Sequence, residues 1–156
     1  MESVHLETTF ISYLVARPSR DLLIAAQQQV TQSWWEHRQD LFENYVSQVV
    51  IDEASIGDPS EIQKRLAILQ NLKPLDVTLE AEELVVEIMA AGMLSSKAIR
   101  DAALVAVAAV HEMDYLLTWN CKHLANAQIA RRISLTCQQH GYRMPIICTP
   151  EELMGE

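Results

Sequence analysis

One segment of the sequence limits the possible folds more than any other. Asp101 is followed by nine consecutive apolar residues, 102–110. This run is too short to cross a bilayer, for which a helix needs about 20 residues. If the segment is helical, it is apolar on all sides, and such a helix is buried in a globular protein. The chain is therefore expected to fold around this helix, with a carboxylate near the beginning of the helix.

The composition is that of an ordinary globular protein. Of the 156 residues, 49% are hydrophobic, and this length fits a single domain over residues 1–156. The N-terminus has an early acid and no basic stretch before an apolar one, so we expect no secretory signal, no membrane association and a cytoplasmic location. The three cysteines show no CxxC spacing, which argues against a disulfide framework and against a structural zinc site.

The formal net charge of −9 limits the possible modes of nucleic-acid binding. Proteins that coat nucleic acid through a broad electrostatic surface are usually basic, so this charge argues against that class. It does not argue against a nuclease whose acids lie in a metal site, because the metal offsets part of their charge. The sequence also has no HExxH, GxGxxG or P-loop motif, which argues against a zinc hydrolase and against nucleotide binding.

Short apolar strands alternate with helical segments along the chain. The pattern predicts strands at 4–6, 48–51, 75–77, 115–118 and 145–148. Helical connections between such strands favour a parallel sheet with helices on both faces. The predicted fold class is therefore α/β, a three-layer α/β/α arrangement with four to five short parallel strands.

Polar residues mark the expected starts of several helices, because their side chains can accept hydrogen bonds from unpaired backbone N–H groups. The candidate N-caps are Ser19, Ser60, Thr78, and Ser95 or Ser96.

Four oxygen-bearing side chains are expected at one edge of the predicted sheet. Glu7, Glu53 and Asn120 each follow a predicted strand, and ligands of open parallel sheets bind beyond the carboxyl ends of the strands. Asp101 lies in the first two turns of a connecting helix, whose N-terminal end is at the same edge. Asp114 precedes its strand and is expected at the opposite edge, as a turn residue.

Two of these assignments have alternatives within the sequence. Asp52 is adjacent to Glu53, and we prefer Glu53 because it follows the predicted strand by one more step. A carboxylate such as Asp101 on a buried helix is costly unless it is paired or bound to a metal. An ion pair with Arg100 or Lys97 is therefore the alternative to a metal-binding role, and the sequence leaves both open.

Clustered carboxylates suit Mg²⁺ or Mn²⁺, which prefer oxygen ligands. Such an ion can lower the pKa of a bound water and stabilise charge on a phosphate under attack. We therefore predict Glu7, Glu53 and Asp101 as metal ligands and Asn120 as a weaker fourth member of the catalytic group. The chemistry indicated is phosphodiester hydrolysis.

Several segments resemble the PIN-domain family, in particular the VapC-like toxins of bacterial toxin–antitoxin pairs. The resemblance covers nearly the whole chain and is clearest at 6–14, 47–53, 100–104 and 116–120. It implies a Rossmann-like PIN fold and a ribonuclease that depends on Mg²⁺ or Mn²⁺. It also implies an RNA substrate, a homodimer and an antitoxin protein as a partner.

The sequence departs from the family pattern at two positions. Glu7 stands where the family usually has Asp, and Asn120 stands where Asp is common. An amide oxygen can ligate a metal or orient water, but it supplies no negative charge, so the site would have three carboxylates. These departures motivate the alternative function, a catalytically degenerate PIN-like module that binds RNA or acts as a regulatory partner.

Further residues near this edge are candidates for substrate binding, each with a structural alternative. Thr8 and Thr9 either hold a metal-bound water or a phosphate or cap the following helix, and Thr118 either lines the site or is an ordinary strand residue. Trp119 either stacks on a base or packs internally. Basic residues could form a phosphate-binding rim or be scattered surface charge. The rim candidates are Arg17, Arg20, Lys97, Arg100, Lys122 and His123.

Overall fold

The fold centres on a parallel sheet, as the alternating pattern predicts. The computed structural model describes residues 1–92, 98–120 and 127–155. The strands of the sheet lie in the order β3-β2-β1-β4-β5, and every adjacent pair is parallel. The prediction of an α/β fold with a parallel sheet of four to five strands is therefore confirmed. The strands are β1 Ser3–Leu6, β2 Glu43–Ser47, β3 Lys73–Leu75, β4 Tyr115–Leu117 and β5 Ile146–Cys148.

Helices connect the strands and flank the sheet. In the part of the chain that the structure describes, no helix is long and apolar enough to cross a membrane. The described α-helices are α1 Thr8–Val15, α2 Leu22–His37, α3 Gln48–Ala54, α4 Pro59–Leu69, α5 Leu79–Ala90, α6 Ala98–Val110 and α7 Ala127–Gln139, and a short 3-10 helix spans Gln39–Leu41.

The strand order creates a crevice at a defined place. The chain leaves β1 on one side to form β2 and β3, and returns to the other side of β1 to form β4. Ligands of open α/β sheets bind at such a switch point, beyond the carboxyl ends of the two strands. Leu6 pairs with Leu117 in this region, and the backbone N–H of Glu7 donates to the carbonyl of Leu117 at 3.0 Å. Residues that follow β1 and β4 therefore meet at one point.

The helix that the sequence predicts to be buried is buried. Most of the side chains of α6 are enclosed, including those on opposite sides of the helix, and β1 is buried at all four of its positions. Strands covered on both faces are usually apolar throughout, and β1 departs from this at Ser3 and at His5, whose Nε2 is hydrogen-bonded with Ser47 Oγ at 2.9 Å. The buried residues of α6 are Asp101, Ala102, Leu104, Val105, Ala106, Val107, Ala108 and Ala109.

The predicted second strand is wrong. Residues 48–51 form the start of α3, and the strand is the preceding segment, β2. The run Val49, Val50, Ile51 has a strand-like composition, but a short apolar run does not distinguish a strand from a helix. In α3, Val50 and Ala54 are four residues apart and both buried, as one face of a helix requires. The third strand also begins and ends two residues earlier than predicted.

Aspartates, rather than the serines predicted, cap two of the helices. Asp21 accepts a hydrogen bond from the N–H of Ile24 at the start of α2, and Asp58 accepts one from that of Glu61 at the start of α4. The predicted caps Ser19 and Ser60 are therefore wrong. Thr78 caps α5 as predicted. Ser95 and Ser96 lie outside the described residues.

Asp114 lies at the amino edge of the sheet, as the sequence predicts. Its carboxylate accepts a hydrogen bond from the N–H of Ser3 at 2.9 Å and one from Arg143 at 3.1 Å. These hydrogen bonds lower the pKa of Asp114, the backbone bond from Ser3 having the largest effect. This carboxylate therefore joins the starts of β1 and β4, far from the carboxyl edge.

We predict that Trp34→Ala destabilises the protein by about 3–5 kcal/mol, because it would leave a large cavity. Trp34 is fully buried, packs edge-on against Phe10 and donates from Nε1 to the carbonyl of Leu153 at 3.1 Å. Trp35 is the matched control, since it is only partly buried at the edge of the same cluster. Urea denaturation of both variants measures the difference. Equal losses would show that the core is not organised around Trp34.

Candidate functional site

Glu7 occupies the centre of the candidate site. It follows β1 directly and is the N-cap of α1, where its carboxylate accepts a hydrogen bond from the N–H of Thr9 at 2.9 Å. The residue is only 3% exposed. A helix N-terminus favours a negative charge, which offsets part of the cost of burying this carboxylate.

Two hydroxyl groups hold the same carboxylate oxygen. Glu7 Oε2 accepts from Thr9 Oγ1 at 2.5 Å and from Thr118 Oγ1 at 2.8 Å. Each threonine is in turn held by backbone that follows β4: Trp119 N donates to Thr9 Oγ1 and Asn120 N donates to Thr118 Oγ1, both at 2.9 Å. The ends of β1 and β4 are therefore joined through one oxygen of Glu7.

Burial raises the pKa of the Glu7 carboxyl above its usual range, because the charged form is poorly solvated there. The hydrogen bonds from Thr9 and Thr118 oppose this effect, and the nearby charge of Asp101 adds to it. Within the described residues, Glu7 is thus a buried carboxylate that the fold supports with hydrogen bonds, with no ion pair to a cationic side chain.

Glu53 approaches Glu7 from α3. Because α3 follows β2 directly and is only about 10 Å long, its last turn stays near the carboxyl edge. Burial raises the pKa of Glu53 most, the charge of Glu7 raises it further, and Arg100 lowers it. Arg100 Nε lies 3.7 Å from Glu53 Oε1, in an ion pair whose carboxylate side is 16% exposed.

The structure distinguishes Glu53 from Asp52. Asp52 is exposed and accepts a hydrogen bond from Gln48 of the same helix at 2.7 Å. Glu53, in contrast, lies within the electrostatic reach of Glu7 and Asp101. The geometry therefore favours Glu53, although it lies at the end of a helix and not directly after a strand as we predicted.

Asp101 completes the group of acids. It lies in the first described turn of α6 and is 9% exposed. Its charge raises the pKa of both Glu7 and Glu53. The alternative was an ion pair of Asp101 with Arg100 or Lys97. Arg100 instead pairs with Glu53, and Lys97 lies outside the described residues.

The two threonines among the substrate-binding candidates have different surroundings. Thr118 is fully buried and holds Glu7, so it lines the site. Thr8 is the first residue of α1, and Glu7 is the cap, so the cap interpretation of Thr8 is wrong. The hydroxyl of Thr8 lies close enough to Glu53 to lower the pKa of that carboxyl. Within the described residues, however, Thr8 Oγ1 makes no hydrogen bond of ordinary geometry.

The structure gives fewer contacts for the remaining candidate residues. The backbone of Asn120 is at the site through its hydrogen bond to Thr118. Arg17 and Arg20 are exposed in the segment between α1 and α2, while Lys122 and His123 lie outside the described residues. Trp119 donates from Nε1 to Thr31 Oγ1 at 2.7 Å and stacks on Tyr13 at 6.3 Å between ring centroids, which supports internal packing.

The three acids match a divalent cation in some respects and not in others. The donors suit a hard ion in kind, since all are carboxylates. One of their oxygens, Glu53 Oε1, is buried and has no hydrogen-bond partner within the described residues. Nevertheless, no three His, Cys, Asp or Glu side chains in residues 1–92, 98–120 and 127–155 are arranged to hold a metal ion. The three carboxylates thus suit a divalent cation in their chemistry, and Glu53 Oε1 has no hydrogen-bond partner within the described residues. Their side chains, however, are not arranged to surround one ion.

The sequence indicates Thr9, like Thr8, as a site hydroxyl or a helix cap, but it does not predict that Thr9 holds Glu7. The backbone N–H and the hydroxyl of Thr9 both donate to Glu7, and the hydroxyl also accepts from Trp119. A threonine two residues after an acidic residue, at a strand-to-helix boundary, could have indicated this contact. An N-cap carboxylate accepts a hydrogen bond from the backbone N–H at this position, which brings the threonine hydroxyl close to it. The contact with Trp119 depends on strand order and has no local signal.

Comparisons with solved structures find proteins with a similar fold. Two solved structures align over most of the chain, each with 16% sequence identity. VapC20 of Mycobacterium tuberculosis, a sarcin–ricin loop cleaving toxin, has a TM-score of 0.62 and covers 80% of this chain and 95% of its own. VapBC2 of Rickettsia felis, bound to a DNA fragment from its promoter, has a TM-score of 0.61, with coverages of 94% and 97%.

The chain therefore has a PIN-domain fold. More particularly, it is similar to the VapC-like proteins, as the sequence resemblance indicated. The sequence itself matches no protein-family model, and it is similar to no curated protein sequence.

We predict that Glu7→Gln stabilises the protein near neutral pH, by about 2–4 °C in Tm. A raised folded-state pKa means that the folded protein keeps this proton to higher pH than the unfolded chain does. The stabilisation from Glu7 is therefore complete below the unfolded pKa and is lost as pH rises through the folded pKa. The advantage of the variant should thus be greatest at neutral pH and vanish in acid. Thermal melts from pH 4 to 8 measure this, and a variant less stable at every pH would contradict it.

Proposed function

We propose that this chain is a metal-dependent endoribonuclease of the VapC-like toxin type, which hydrolyses RNA phosphodiester bonds with Mg²⁺ or Mn²⁺. One observation carries the proposal. Glu7, Glu53 and Asp101 come from distant parts of the chain and lie within electrostatic reach of one another, and burial and the charges of neighbouring acids raise the pKa of both glutamates. Shifts of this kind in a crevice are typical of functional sites.

A divalent cation would relieve the repulsion among these acids. We propose Glu7, Glu53 and Asp101 as its ligands, with the amide of Asn120 as a fourth, uncharged member. When bound, the ion would supply water activation and charge stabilisation at the phosphate. Because the three side chains do not form a closed ligand group in this arrangement, the proposal requires them to move closer together on binding.

The surrounding residues have roles that follow from their contacts. Thr9 and Thr118 hold Oε2 of Glu7, which restricts the longer glutamate side chain to one orientation. We propose Thr8 as a donor to a bound water or phosphate, because its hydroxyl is buried beside Glu53. We further propose that Arg17, Arg20 and Lys122 contact the RNA backbone, since a protein with a net charge of −9 needs local cations for this.

The structural neighbours support a nuclease of this type and suggest its partners. VapC20 is a toxin that cleaves the sarcin–ricin loop, and VapBC2 binds DNA of its own promoter. By analogy, we propose RNA as the substrate of this chain and an antitoxin as its protein partner. A homodimer is proposed on the family resemblance alone.

The second candidate function is a PIN-like module that binds RNA without cleaving it. The glutamate at position 7 and the asparagine at position 120 favour it, because together they alter the geometry of one ligand and remove the charge of another. Metal affinity and RNA cleavage distinguish this module from the nuclease.

We predict that the purified protein cleaves end-labelled RNA in Mg²⁺ or Mn²⁺, and that Asp101→Asn and EDTA each reduce the rate at least about 100-fold, because a metal ligand or the metal is lost. Glu53→Gln should act in the same direction. Asp52→Asn is the matched control, since this exposed acid is adjacent on α3 and should leave the rate unchanged.

The pattern of results separates the candidates. Cleavage that survives Asp101→Asn would contradict the proposed site. Cleavage lost equally in Asp52→Asn and Glu53→Gln would show that α3, rather than one carboxylate, is required. RNA binding without cleavage in either metal would favour the binding module.

A further inference from the structure

Arg100 makes a long ion pair at the candidate site. Its Nε lies 3.7 Å from Glu53 Oε1, beyond the 2.7–3.2 Å typical of an N–H···O hydrogen bond. The two partners also differ in exposure: the side chain of Arg100 is 58% exposed and that of Glu53 is 16% exposed. The carboxylate is therefore held in the crevice, while most of the arginine side chain lies in solvent.

The carboxylate oxygen that faces Arg100 is under-satisfied. Glu53 Oε1 is buried and accepts no hydrogen bond within the described residues. A buried carboxylate oxygen with no hydrogen bond retains much of its desolvation cost, and a cation at 3.7 Å recovers only part of it. The same oxygen would accept a stronger cationic partner, such as a divalent metal ion.

The position of Arg100 on α6 gives it access to a second partner. Arg100 immediately precedes Asp101, and successive helix residues point in directions about 100° apart. Asp101 is buried, whereas Arg100 is exposed at the rim of the same crevice. A guanidinium in that position can bind a phosphate with two parallel hydrogen bonds, which suits an anionic backbone entering the crevice.

We propose that Arg100 is an exchangeable counter-ion: it competes with the divalent cation for Glu53 Oε1 and takes a phosphate of the RNA as its second partner. This inference rests on the proposed nuclease function and adds the residue that couples metal binding to RNA binding. Removing Arg100 should therefore have opposite effects on the two ligands. A residue with a purely structural role would not produce this pair of effects.

The test uses the full chain and Arg100→Gln in two titrations. Calorimetry with Mn²⁺ alone should show about 3- to 10-fold tighter binding in the variant, because a competing positive charge is gone. Binding of a phosphorothioate RNA that resists cleavage, measured in saturating Mn²⁺, should be about tenfold weaker. Arg100→Lys should keep Mn²⁺ binding near the wild-type value but still weaken RNA binding, because it keeps the charge and loses the bidentate geometry.

Arg143→Gln is the matched control. Arg143 makes a similarly exposed ion pair, with Asp114, but at the opposite edge of the sheet, so the same change in net charge should alter neither titration. Suppose that the wild-type protein binds Mn²⁺ and cleaves RNA, but that Arg100→Gln binds Mn²⁺ no more tightly than the wild type. This result would overturn the exchange and leave the nuclease assignment intact. A wild-type protein that binds no Mn²⁺ would overturn the nuclease assignment, and the exchange with it.

Discussion

The repulsion among three carboxylates at the end of a buried strand is the constraint on which the site depends. Glu7 is enclosed because β1 is the central strand, and Asp101 is enclosed because α6 is buried on nearly all sides. Neither element can expose its acid without exposing apolar residues as well. The fold therefore brings negative charges together, and within the described residues threonine hydroxyls, a helix N-terminus and a loosely held arginine offset part of the cost.

This arrangement explains how a glutamate can stand at position 7. Its longer side chain could adopt more orientations than aspartate, but Thr9 and Thr118 both bind Oε2 and are themselves fixed by the backbone after β4. The orientation of the carboxylate therefore depends on the pairing of β1 with β4. Disturbing that pairing would disturb the acid, even without changing any residue of the acidic group.

The sequence predicts the parts of this site that depend on local pattern. Asp101 is identifiable because nine apolar residues follow it, and Glu7 because it directly follows a short predicted strand. The strand before Glu53 was misplaced, since residues 48–51 have a strand-like composition but pack as a helix. Glu53 still reaches the predicted edge because α3 is short. The contact of Thr9 with Trp119 and the pairing of Arg100 with Glu53 arise between distant segments, which periodicity and spacing do not encode.

The central claim is that Glu7, Glu53 and Asp101 hold one divalent cation, and a crystal structure of the protein grown with Mn²⁺ tests it most directly. Anomalous scattering identifies Mn²⁺ without relying on activity. We expect an anomalous peak at the carboxyl edge of β1, with carboxylate oxygens of these residues about 2.1–2.3 Å away. No peak at saturating Mn²⁺, or a peak only at other acids such as Glu80, Glu83 and Glu87 on α5, would contradict the claim.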